Sequence, residues 1–248
     1  MNTYRKLIVL VVVVLALVSC QFTETMVLNE DGTGTMSVSV DLSEMMAFSG
    51  EMAKDSTIVK QDTVVSFKAF LEQKKDSIAQ LPMTEQKRLK AMENYKMRMV
   101  TDPETNKMVI DVFTDFRNVA EANDLMKGFE QSGNMIPGAS SNTSQDAEKK
   151  EPEVIGVSYS FTKGKFKRDA FIKDQKAHQA QIDSLKNAEA FMGGISYKVK
   201  YTFPKKIKKS SVEDATFSLD GKTLELQRSF IEYLKNPDVL DIEVELEK

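Results

Sequence analysis

Strict alternation of apolar and polar residues is the pattern that most constrains this chain. Met36, Val38, Val40 and Leu42 alternate with Ser37, Ser39 and Asp41. Ile155, Val157, Tyr159 and Phe161 alternate with Gly156, Ser158 and Ser160. The same rhythm runs through Tyr197, Val199, Tyr201 and Phe203, and through Leu240, Ile242, Val244 and Leu246. A period of two puts one set of side chains on a dry face and the other on a wet one, which is the pattern of antiparallel sheet. Less regular strands are predicted at 22–29, 95–100, 108–116, 166–171, 215–219 and 223–228. Asp31-Gly32 and Asp220-Gly221 supply turns that need positive φ, Asp102-Pro103 and Lys163-Gly164 join further pairs, and Pro204 closes a strand because it cannot donate to a ladder.

Between the hairpins the period changes. Thr63 to Gln80 carries Val64, Phe67, Phe70, Leu71 and Ile78 at helical spacing, and Thr84 to Asn94 follows Pro82 with Thr84 as N-cap. Asn118 starts a third helix, with Glu121 placed for a capping-box-like bond and Gly128 or Gly133 as its end. Asp174 to Met192 is a polar helix with a thin apolar stripe, stopped by Gly193-Gly194. The expected fold class is α+β: an antiparallel β-sheet with amphipathic helices packed on one face. A strongly curled sheet would enclose a cavity with its helices. Residues 132–153 are polar and rich in Ser, Asn, Gly and Pro, so they read as a disordered insertion in a single domain spanning 20–248. A split into two domains there is the alternative.

The first twenty residues set an address. Arg5 and Lys6 precede an apolar run from Leu7 to Val18, then Ser19-Cys20. At ~1.5 Å per residue that run covers only ~18 Å as a helix, short of a ~30 Å hydrocarbon core, so a cleaved signal fits better than a spanning anchor. Leu17-Val18-Ser19-Cys20 resembles the lipobox of bacterial lipoproteins, and Cys20 is the sole cysteine. The resemblance implies removal of residues 1–19, diacylglycerol on the Cys20 sulfur and acylation of the new amino group. Two or three acyl chains then hold the protein on a membrane. Gln21 after the cysteine points, by Gram-negative sorting rules, to the outer membrane. Cleavage would remove two of the 34 basic residues and none of the 37 acidic ones, leaving a net charge near −5. Such a chain is a poor partner for nucleic acid, and an acylated cysteine excludes a disulfide.

No residue set points to catalysis, a metal or a cofactor. His178 is the one histidine and reads as a solvated side chain on a polar helix. Asn29–Gly34 lacks the alternating oxygen ligands and closing Glu of a calcium loop and reads as a hairpin. Asp111 and Asp115 share a strand face, where solubilising carboxylates are the rule. Two basic clusters, Lys163/Lys165/Lys167/Arg168 and Lys205/Lys206/Lys208/Lys209, could together attract anionic headgroups. Each alone is an ordinary solvated edge. Met45, Met46, Phe48 and Met52 form the candidate apolar binding segment; the plainer reading is a short helix capping the core. Asp-Ser/Thr triplets at 55–57, 62–64, 76–78 and 183–185, the last three closed by an aliphatic residue, look like bacterial O-glycosylation sites or like chance.

Phe22-Thr-Glu-Thr, Asn29-Glu-Asp31-Gly32-Thr-Gly34 and Val40-Asp41-Leu42-Ser43-Glu-Met45-Met46 resemble a group of lipoproteins of the Bacteroidota. Tyr201-Thr-Phe203-Pro204 and the later Asp220-Gly221 turn continue the likeness. The order of a DG hairpin near the anchor, a helical middle, a strand ending in Pro and a second DG hairpin is similar to the LppM-type lipoprotein domain. That resemblance implies envelope lipid or glycolipid handling. The expected protein is thus a lipid-anchored, non-enzymatic envelope module that binds a lipid-like or apolar ligand. The alternative is a structural subunit of an envelope complex.

Overall fold

The computed structural model describes residues 21–44, 46, 59–124, 154–186 and 193–248. The expected signal segment 1–19, Cys20, Met45, Phe48, Met52, the expected helix ends Gly128 and Gly133, and the expected insertion 132–153 lie outside the described residues. Among the described residues there are twelve strands in two sheets, the alternating segments among them. β1 (Gln21–Leu28) and β2 (Gly34–Asp41) make the first hairpin, with Gln21 opposite Asp41 and Leu28 opposite Gly34. β3 (Gln61–Ser66), β4 (Lys96–Asp102) and β5 (Lys107–Phe116) extend that sheet beyond β2. On the other side of β1 lie β8 (Ser196–Thr202), β11 (Thr223–Ser229) and the two-residue β10 (Thr216–Phe217). The larger sheet therefore runs β10-β11-β8-β1-β2-β5-β4-β3. Its strands come from both sides of residues 125–153.

The fold is α+β with mainly antiparallel strands. Two features of its topology were not legible in the alternation. First, β8 lies parallel to β1, with Gln21 opposite Ser196 and Val27 opposite Thr202. Second, the strands divide into two sheets rather than one interrupted sheet. β6 (Ile155–Thr162), β7 (Lys165–Ile172), β12 (Ile242–Leu246) and β9 (Ile207–Ser210) form a separate four-stranded layer. Alternation states which side chains are dry but not which strand is the neighbour, so both outcomes satisfy the same pattern.

The inner face of the larger sheet is covered in two parts. Over β2 and β5 sit Phe67 of α1 (Phe67–Gln73), Met92 after α3 (Met83–Ala91), and Val119 and Ala122 of a 3₁₀ turn (Val119–Asp124), packed with Met36, Val38, Val112 and Phe116. Over β1, β8 and β11 sits the four-stranded sheet, whose Phe166, Ala170, Ile242, Val244 and Leu246 meet Met26, Tyr201, Leu224 and Leu226. Tyr233 of α5 (Phe230–Lys235) closes one end against Tyr197, with ring centroids 4.8 Å apart.

Local differences from the sequence reading have local causes. The segment 63–80 is not one helix. Its first residues belong to β3, where Asp62 takes a bidentate bond from Arg98 (2.7 and 2.8 Å) and pairing with β4 satisfies the backbone. The helix starts at Phe67, whose N–H donates to the Tyr95 carbonyl, and breaks at Lys74 before a single turn, α2 (Lys75–Ile78). α3 is capped by Pro82, not Thr84, and has no side-chain cap bond. Asn118 does cap its turn through Ala120 N–H (2.9 Å), while Glu121 accepts from Arg117 rather than from Asn118. Asp174 caps α4 (Gln175–Leu185) through Ala177 N–H. The strand expected at 215–219 shrinks to two residues. β9 was hidden because Lys208 and Lys209 mask its short apolar signal.

Candidate functional site

At the centre of the contact between the two sheets lies a charge that the alternation places on a dry face. Glu24 follows Phe22 and precedes Met26 and Leu28 on the inward side of β1, and it is fully buried. Arg168 stands between Phe166 and Ala170 on the inward side of β7, also fully buried. The two meet across the layers. Arg168 donates from Nε to Glu24 Oε1 (3.3 Å) and from one terminal nitrogen to Oε2 (3.2 Å). Its other terminal nitrogen donates to the Leu240 carbonyl (3.0 Å), at the end of a 3₁₀ turn (Pro237–Leu240). Three phenols complete the shell. Tyr159 of β6 donates to Oε1 (2.5 Å), Tyr197 of β8 donates to Oε2 (2.7 Å), and Tyr201 of β8 donates to Oε1. The Arg168 guanidinium also lies 5.9 Å from the centre of the Tyr233 ring.

The electrostatics follow from that shell. Burial would raise the Glu24 carboxyl, but the Arg168 charge and the hydrogen bonds from Arg168, Tyr159 and Tyr197 outweigh it and hold the acid below its ordinary value. Burial, and then the Glu24 charge, push Tyr159, Tyr197 and Tyr201 well above the usual phenol range. Burial opposes the charge on Arg168 too, yet the neighbouring carboxylate holds its proton more firmly than usual. No buried side-chain polar atom among the described residues lacks a hydrogen-bond partner. A carboxylate already saturated by donors and closed off from water has no free lone pair to offer a substrate. The arrangement is chemically a staple between sheets.

The space around this staple is filled with rings. Phe166 packs edge-on to Tyr201 and to Phe203 at 5.3 Å each, and Phe22 stacks on Phe230 at 4.5 Å. Phe166, Tyr201 and Phe203 thus fill the space between the two sheets beside the staple.

The other sequence candidates fall as follows. Met46 is buried and Leu42 accepts its N–H, so it caps the core; Met45, Phe48 and Met52 lie outside the described residues. His178 is buried rather than solvated, and its Nε2 donates to the Leu234 carbonyl (2.7 Å), tying α4 to α5. Asp111 lies across the ladder from Arg98, and Asp115 is 3.9 Å from Lys96. Among the described residues no group of three or more His, Cys, Asp or Glu is placed to hold a metal. Arg168 leaves the first basic cluster for the core. The remaining lysines of both clusters stay on the surface of the smaller sheet, where β12 runs between them. Glu245 lies opposite Lys165 and Lys209, and Lys208 pairs with it at 2.6 Å.

Glu24 and Arg168 were missed because the basic cluster was counted along the chain without its phase. The phase was the available signal: an ionisable residue at a dry position of an alternating strand needs a buried partner.

No family model matches the chain, and no curated protein does. Among solved structures it is similar to the folded domain of the Mycobacterium tuberculosis LppM protein, determined by NMR, at 6% identity and a TM-score of 0.40, over 92% of this chain and 90% of that one. No helix among the described residues is long and apolar enough to cross a membrane.

Proposed function

We propose that the chain is a lipid-anchored envelope protein, tethered through Cys20, whose folded body is a non-enzymatic interaction module. The observation that carries this reading is the junction between anchor and fold. β1 begins at Gln21, the residue after Cys20, and β1 is an interior strand of the larger sheet, held by β2, β8 and the Glu24 staple. The acyl chains would attach with no linker to an interior strand of the larger sheet. That suits a body carried in fixed orientation at a bilayer surface. An outer-membrane address follows from Gln21 at the position after the cysteine. Ring packing between the sheets favours a partner bound on the outside over an apolar ligand held inside. A ligand entering beside the staple would displace a ring such as Phe166, whose packing is worth about 3–5 kcal/mol.

Cys20→Ser tests the tether. The wild-type protein should take up radiolabelled palmitate and sediment with membranes. The variant should take up none and move to the soluble fraction. A variant that stays membrane-bound would overturn the reading.

A further inference from the structure

The parallel and antiparallel registers give the molecule two ends. Gln21, Asp41 and Ser196 mark one, where the chain leaves Cys20. Leu28, Gly34 and Thr202 mark the other, about 23 Å away along β1. The second end gathers segments distant in sequence. The turn at 218–221 closes the β10–β11 hairpin there, with Gly221 at positive φ and its N–H donating to the Ser218 carbonyl. Ile207 N–H donates to the Gly221 carbonyl, which brings Lys205 and Lys206 beside that turn. Leu246 N–H donates to Gly164 and Glu247 N–H to Lys206, which brings Lys163 alongside. At the tip of the hairpin Leu219 is fully exposed, and Phe217 is 47% exposed.

We propose that this end, Leu219 and Phe217 with Lys163, Lys205, Lys206 and Lys222 around them, docks an acidic protein surface that carries an apolar recess. Lys163, Lys205 and Lys206 are exposed and have no ion-pair partner among the described residues, on a chain that is acidic overall. The acids nearby are few: Asp220 faces Lys222, Glu245 is held by Lys208, and Glu247 follows Leu246. Glu30 and Asp31 lie at the same end on the β1–β2 turn, separated from the β10–β11 hairpin by β8 alone, and Asp31 is held by Thr33. Exposed Leu219 and Phe217 supply apolar area, and Lys163, Lys205 and Lys206 supply a positive field that steers an acidic partner onto it. A plain polyanion would make no use of Leu219. These lysines stand at the opposite end of β1 from Gln21, about 23 Å along the strand, so attachment through Cys20 does not by itself bring them to the bilayer.

The orientation of this surface away from the bilayer rests on acylation at Cys20; its chemistry does not. The test uses the full acylated chain on phosphatidylcholine vesicles. Three probes are compared: a fluorescent acidic peptide with Leu and Phe at helical spacing, a poly-glutamate peptide of equal charge, and vesicles rich in phosphatidylglycerol. The apolar acidic peptide should bind tightest, and its binding should weaken with added salt. Lys205→Glu with Lys206→Glu should lower its affinity about tenfold, and Leu219→Ser should do the same. Equal binding of poly-glutamate, an unchanged affinity in Leu219→Ser, capture of anionic vesicles alone, or no peptide binding would each overturn the proposal. Failure of the protein to float with its own vesicles would instead overturn the anchor and leave the peptide result standing.

Discussion

Arg168 and Glu24 show how one residue in the wrong chemical class for its position can decide a fold. Both sit where the alternation calls for an apolar side chain, and each is tolerable only because the other is there. Arg168→Met should therefore leave a buried carboxylate with three phenol donors and no counter-charge. The expected cost is about 3–5 kcal/mol, read as a fall in the urea midpoint. Lys167→Met, one residue away on the wet side of the same strand, should leave that midpoint where it is. The same shell sets the pH limits. Glu24 has its folded value held down, so its contribution is present at neutral pH and is lost as pH falls below the ordinary carboxylate range and through that value. The phenols work in the opposite sense. Their folded values are raised, so the stability they carry is full below the ordinary phenol value near 10 and is lost as pH rises beyond it. Phenolate absorbance at 295 nm should show Tyr159, Tyr197 and Tyr201 ionising only together with unfolding. A smooth titration of all tyrosines in the folded protein would contradict the buried shell.

At the scale of elements, the hairpins follow local chemistry and the helices follow tertiary demand. β1 and β2 turn through Asn29–Thr33, where Asp31 accepts from the Thr33 backbone and hydroxyl. Gly34 at the start of β2 is required for a different reason. A Cβ there would sit 2.1 Å from the Val27 carbonyl oxygen and 2.5 Å from the Phe116 ring. Gly34→Ala should force these strands apart at a cost of about 1–3 kcal/mol or more, seen as a lower melting temperature. β6 lies at an edge of its sheet, yet it is covered. The Asn123 side chain accepts from Tyr159 N–H (2.8 Å), so the 3₁₀ turn of the helical middle closes the smaller sheet. β3 illustrates the opposite lesson. Val64, Phe67 and Phe70 mimic a helical stripe, but Val64 belongs to a strand and only Phe67 is buried among them. A short apolar run fits either period, and the pairing with β4 decides.

The whole molecule is organised about β1. It starts beside Cys20, carries the buried acid in its middle and ends at the pole where the lysines and the Leu219 hairpin gather. Every described residue of the sheets, the staple and the ring packing lies at or beyond Gln21, so Cys20→Ser should leave the melting temperature and the cooperativity of unfolding unchanged. A lowered, broadened transition would mean that the segment before Gln21 takes part in the fold. The sequence clusters of lysine acquire their meaning only at this scale. Arg168 turns inward, Lys208 pairs with Glu245, Lys167 pairs with Asp169, and Lys163, Lys205 and Lys206 gather at the end of β1 remote from Gln21.

What the sequence determined by itself is what local physics can encode. The dry and wet face of each strand, the turns at Asp31-Gly32 and Asp220-Gly221, the Asp174 cap and the lipobox-like Cys20 all depend on neighbours a few residues away. Only the tertiary structure decided that β8 returns parallel to β1, that the strands part into two layers, and that Glu24 meets Arg168 across 144 positions. Such contacts depend on which dry faces find each other. Burial rewards every pairing of apolar faces alike, so the choice rests with the few residues that tolerate one partner alone.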